Sequence, residues 1–102
     1  MIKETTILQG LDDEQTYESV DAFFTAHGLD EWRAKELKLF TDAGFDVTDS
    51  TKQMAEMSDD GKRVIITVAY TDQAEKDAIF ANADAGEGPA GLTQYITEDH
   101  LF

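Results

Sequence analysis

The sequence predicts one α+β domain over residues 1–102, a four-stranded antiparallel sheet with helices on one face. Three patterns predict it. Short runs of alternating apolar and β-branched residues mark strands near Ile2, Val64 and Leu92. Apolar residues at helical spacing fill the segments between them. A turn signal, Ser58-Asp59-Asp60-Gly61-Lys62, joins two strand-like runs into a hairpin.

Ile2 to Gln9 mixes β-branched and polar residues and reads as the first strand, closed by Gly10. Leu11 to Thr16 is an acidic connector. A helix is expected from near Thr16, with Val20, Phe23, Phe24 and His27 at helical spacing and acids early, where the helix dipole favours anions. Gly28 suits a C-terminal cap, with Leu29 packing back. Asp30 suits an N-cap for a second helix through Trp32, Leu37 and Phe40 to about Ala43, ended by Gly44 and Phe45.

Phe45 to Met57 reads as a long strand with a polar middle. Arg63 to Thr71 is the clearest strand, with Val64, Ile66, Val68 and Tyr70 on one face and Ile65, Thr67 and Ala69 on the other. Asp72 with Glu75 forms a capping-box pattern for a short helix to about Ala83. Asp84 to Gly91, holding three glycines and the only proline, reads as a loop, and Leu92 to Thr97 as a last strand. With the first two helices taken as one broken crossover, this is the βαββαβ order of a ferredoxin-like fold. The hairpin is apolar on both faces, so a second copy covering the helix-free face is expected. Small domains of this topology pair sheet to sheet, some as α+β barrels around a ligand; fold-level analogy says little about function.

Charge is the chain's strongest compositional signal. Twenty-two Asp and Glu oppose eight Lys and Arg, a net charge of -14. From Leu11 to Glu31 there are seven acids and no Lys or Arg, and from Asp72 onward seven acids and only Lys76. Such a field repels nucleic acid and anionic membranes and attracts basic partners. No cysteine is present, which excludes disulfides, thiolate metal sites and a Cys nucleophile. The first residues, Met-Ile-Lys-Glu-Thr-Thr, lack the apolar core of a secretory signal, and no apolar run approaches a membrane span. A cytoplasmic protein is the expectation.

No residue set names a reaction, so the chain reads as a binding protein rather than an enzyme, with no cofactor and no metal expected. His27 suits the C-terminal end of its helix; a general-base role oriented by Asp30 or Glu31 lacks a nucleophile. Asp12, Asp13, Glu14 and Glu18 could offer oxygens to a divalent cation, but EF-hand spacing is absent. The glycines at 86, 88 and 91 lack the Lys-Ser/Thr of a phosphate-binding loop.

Two functions from different classes fit. In the preferred one, an acidic surface of Asp12, Asp13, Glu14, Glu18 and Asp21 engages a basic protein partner as an inhibitor or regulator, imitating a nucleic-acid backbone if that partner binds nucleic acid. In the other, a homodimeric ferredoxin-like α+β barrel holds or converts a small apolar molecule between sheet and helices, with His27, Trp32, Tyr70 and Tyr95 at the pocket. A plainer third reading gives the charge to surface hydration in high salt.

Overall fold

Alternation along the first strand sets the architecture. β1 (Ile2–Gly10) buries Ile2, Leu8 and Gly10 on one side and turns Lys3 to the other. It lies inside a four-stranded antiparallel sheet of order β2-β3-β1-β4, with β2 spanning Gln53–Met57, β3 Arg63–Tyr70 and β4 Leu92–His100. The protein is seen here as a computed structural model that describes residues 1–11, 14–81, 83 and 91–100. The element order is β1, α1 (Val20–Ala26), α2 (Asp30–Asp42), β2, β3, α3 (Gln73–Phe80), β4. No helix among the described residues is long and apolar enough to cross a membrane.

Register places the even-numbered residues of β1, β3 and β4 on one face. Leu8 pairs with Val64 and Gln94, Thr6 with Ile66 and Ile96, and Glu4 with Val68 and Glu98. On β2 that face carries Gln53, Ala55 and Met57, because Ala55 pairs with Ile66. Side chains of all three helices pack against this face, in two clusters. One joins Ile2, Val68 and Tyr70 to Phe40 of α2, Phe45 and Ile79 of α3. The other joins Leu8 and Val64 to Phe23 and Phe24 of α1 and to Leu29. Each side chain so buried stabilises the fold by roughly 1.5–3 kcal/mol, and Ile66 touches both clusters.

Helix ends follow local chemistry. Ser19 caps α1 by accepting the Ala22 amide at 3.1 Å, so the helix begins at Val20 and not near Thr16. At its other end Gly28 has φ of 67°, and the Leu29 amide reaches back to the Phe24 carbonyl at 2.9 Å. That Schellman closure needs a residue free to adopt positive φ, and it seats Leu29 in the core. Asp30 is the first residue of α2 and not its cap; the capping position is Leu29, which offers no side-chain acceptor. Asp72 accepts the Glu75 amide at 2.9 Å while Glu75 accepts the Thr71 amide, and α3 stops at Phe80, short of Ala83.

The long strand expected from Phe45 is shorter. Only Gln53–Met57 pairs with β3. Asp46 accepts the amide and hydroxyl of Thr48, and Asp49 those of Thr51. Two successive Asp-x-Thr turns thus divert a segment whose Val and Thr favour a strand. β4 is longer than expected and runs to His100. Of the loop expected from Asp84 to Gly91, residues 84–90 lie outside the described residues.

Candidate functional site

The two core clusters hold α2 at its ends and leave a cleft between its middle and the sheet. Trp32, Arg33, Glu36, Leu37 and Phe40 recur at helical spacing and form the roof. The floor is a set of strand positions: Ala55, Ile66, Thr6 and Ile96 lie in one row across the sheet, with Gln53, Val68 and Glu4 in the next. Phe24 of α1 and Phe80 of α3 complete the wall. Space remains because the floor under α2 has small side chains, Ala55 and Thr6, where larger ones would fill it. The cavity measures about 280 Å³, roughly twice the 150 Å³ that accommodates benzene. Ile96 on the edge strand β4 is 56% exposed and marks its open side.

Aromatic packing braces the roof. Trp32 stacks on Phe24 with ring centroids 6.3 Å apart, and the Arg33 guanidinium lies 4.7 Å over the Phe24 ring. Arg33 also pairs with the exposed carboxylate of Asp21, so its charge is directed away along α1.

Charged groups converge at the floor. Lys76 of α3 meets Glu4 of β1 at 3.0 Å and Glu98 of β4 at 2.9 Å. His100 lies 3.0 Å from the other Glu98 oxygen. The Lys76 side chain is 19% exposed, and although its desolvation opposes the charge, the hydrogen bonds to Glu98 and Glu4 raise its pKa. Glu36 belongs to the same region but meets no cation among the described residues. Burial, and secondarily the Glu4 carboxylate, raises its pKa above the ordinary glutamate value.

These shifts set a pH profile. A carboxylate with a raised folded pKa destabilises the fold when ionised, and stability is regained as pH falls through that pKa. Asp46, Asp49 and Asp60 are opposite. Hydroxyls of Thr48, Thr51 and Ser58, then backbone amides, lower their pKa values, so their contribution holds above the ordinary Asp pKa and is lost as pH falls through the folded one. Thermal unfolding at fixed ionic strength is expected to show greatest stability at about pH 4, between the ordinary Asp and Glu pKa values, where the Asp contributions are present and the Glu36 contribution is not yet lost. A maximum at pH 7 or above contradicts that assignment.

Tyr70 lies beneath this cluster, fully buried, with its hydroxyl lacking a hydrogen-bond partner among the described residues. Its pKa is raised, by burial first and then by Glu4, Glu36 and Glu98. Tyr70→Phe removes a buried polar group that has no partner, so it is expected to leave stability unchanged or raise it by about 1 kcal/mol in denaturant unfolding. A loss of that size would reveal a bonded hydroxyl.

Of the four residues expected at a pocket, Trp32 lines the cleft and the structure does not bring the others to it. Tyr70 sits in the core below. His27 packs on Phe23, with Nε2 2.9 Å from the Tyr17 hydroxyl and its ring against Gly10. Asp30, its expected orienting group, instead accepts the Thr25 hydroxyl at 3.2 Å. Tyr95 is on the opposite sheet face, 55% exposed, paired with Ile7. In the acidic block, Glu14, Glu18 and Asp21 are exposed on the connector and the start of α1, while Asp12 and Asp13 lie outside the described residues. Among the described residues no three His, Cys, Asp or Glu side chains gather as a metal site would require.

Glu4, Glu36 and Lys76 were not singled out by sequence. The signal was present: Glu36 stands four residues from both Trp32 and Phe40, and Glu4 shares the core-facing parity of Ile2 and Leu8. No family model, no curated protein and no solved structure matches this chain.

Proposed function

We propose that this protein binds a small, largely apolar molecule in the cleft between α2 and the sheet. The observation that carries this reading is the cavity of about 280 Å³ walled by Trp32, Leu37, Phe40, Ile66, Val68 and Phe80. Binding sites for small molecules are concave, mostly apolar and supplied with few polar groups, as this cleft is. The reading of the acidic surface as a dock for a basic protein rests on net charge, without a comparable built recess. Element order and the strand order β2-β3-β1-β4 support a ferredoxin-like topology with α1 and α2 as a broken crossover.

Homodimerisation belongs to the same proposal. The helix-free face carries Thr5, Ile7, Ile65, Thr67, Tyr95 and Thr97 at its centre, with Glu56 and Asp99 as its acids at strand positions. In a chain of net charge -14, that face is where two copies repel least. Sedimentation is expected to give a dimer that Ile7→Lys converts to a folded monomer; a monomeric parent chain contradicts the pairing.

The sole tryptophan reports the cleft. Titrating the protein with 4-phenylbutanol is expected to give a saturable blue shift of Trp32 emission. An unchanged spectrum, together with no heat of binding, would remove the support for a ligand site.

A further inference from the structure

We infer that the cleft selects an apolar cation, a primary amine on an aryl or alkyl body, with the Glu36 carboxylate as its counter-charge. This rests on the cleft being a ligand site and names the class of ligand.

Glu36 is a half-buried carboxylate on the roof of a mostly apolar cavity whose other charged lining residues are Glu4 and Arg33, and it is flanked by Trp32 and Phe40 one turn to either side. Half-burial strips part of that carboxylate's hydration, which a cation could replace. Among the described residues, Lys76 and Arg33 are committed elsewhere. Lys76 is held between Glu4 and Glu98, and Arg33 is turned to Asp21 and the Phe24 ring. Of the charged residues lining the cleft, Glu4 is held by Lys76 and Arg33 by Asp21, which leaves the Glu36 carboxylate without a cation among the described residues. Burial first, and the Glu4 carboxylate second, raise the Glu36 pKa, both effects that a bound cation would oppose. An ammonium group entering here would donate a charge-assisted hydrogen bond to the Glu36 carboxylate and meet the faces of Trp32 or Phe40. A carboxylate ligand would meet Glu36 and Glu4 as like charges. Groups that lower stability without a partner in the free protein mark functional sites, where the ligand supplies that partner.

Three probes of one shape separate the cases: 4-phenylbutylamine, 4-phenylbutanol and 4-phenylbutyrate, each titrated calorimetrically at pH 7 into the parent chain and Glu36→Gln. The amine is expected to bind the parent about tenfold more tightly than the alcohol, and the carboxylate more weakly than either. In Glu36→Gln the amine's advantage is expected to vanish while the alcohol's affinity holds, which also shows the variant's cleft intact. Equal binding of amine and alcohol by the parent overturns the choice of a cation but leaves the cleft a ligand site. Preference for the carboxylate overturns it too, and makes Arg33 the counter-charge. No binding of any probe overturns the site itself.

Discussion

Lys76→Met is expected to destabilise the protein by about 2 kcal/mol, less than the roughly 3–5 kcal/mol of a fully buried pair. Lys76 adds an ionic tie between α3 and the sheet to the packing of Ile79. It reaches Glu4 on β1 and Glu98 on β4 from one helix, and its ammonium lies 5.7 Å from the Tyr70 ring. Methionine keeps most of the stem's packing, so the loss isolates the charge. Without the ammonium, Glu4 and Glu98 face each other from paired positions across the strands, with Glu36 beyond. Adding Glu4→Gln to the variant relieves part of that repulsion, and more than half of the lost stability is expected to return. Urea unfolding checks both steps. A loss below about 0.5 kcal/mol, the range of an exposed ion pair, contradicts the role given to Lys76.

Ala55→Phe is expected to abolish ligand binding while leaving stability equal or about 1 kcal/mol higher. Ala55 lies on the cleft floor in the row of Ile66, Thr6 and Ile96. A phenyl ring there enters the cavity, and aromatic residues suit a strand. The two effects separate the cleft from the core: filling a void adds contacts, whereas overpacking a full core costs about 1–3 kcal/mol. A destabilised Ala55→Phe therefore contradicts the open volume. A stable variant that still binds 4-phenylbutanol places that ligand elsewhere.

What was legible in the sequence was mostly local. Gly28 with Leu29 and Gly44 with Phe45 end helices through bonds spanning five residues, so their chemistry is visible in a short window. Asp72 with Glu75 and the Gly61 turn are equally local. β2 starts later than its sequence suggests because the Asp-x-Thr bonds of Asp46 and Asp49 override the strand preference of Val47, Thr48 and Thr51. The candidate site was less legible, since it depends on distance. Trp32 could be placed on a helix, but the cleft beneath it exists because two core clusters hold α2 at its ends. Tyr70 and Tyr95 look alike in sequence, and strand pairing sends them to opposite faces. The sequence signal for Glu36 is a carboxylate on the apolar face of α2, one turn from both Trp32 and Phe40.

Ligand binding at the cleft is the central claim, and residue-resolved NMR tests it most directly. Amide shifts of the isotope-labelled protein would be followed during titration with 4-phenylbutylamine. The account predicts saturable shifts gathered at Trp32 to Phe40, Glu4, Thr6, Ala55, Ile66 and Val68, with the Ile7, Ile65 and Tyr95 face unchanged. Shifts gathered on that opposite face, or none at all, would contradict it.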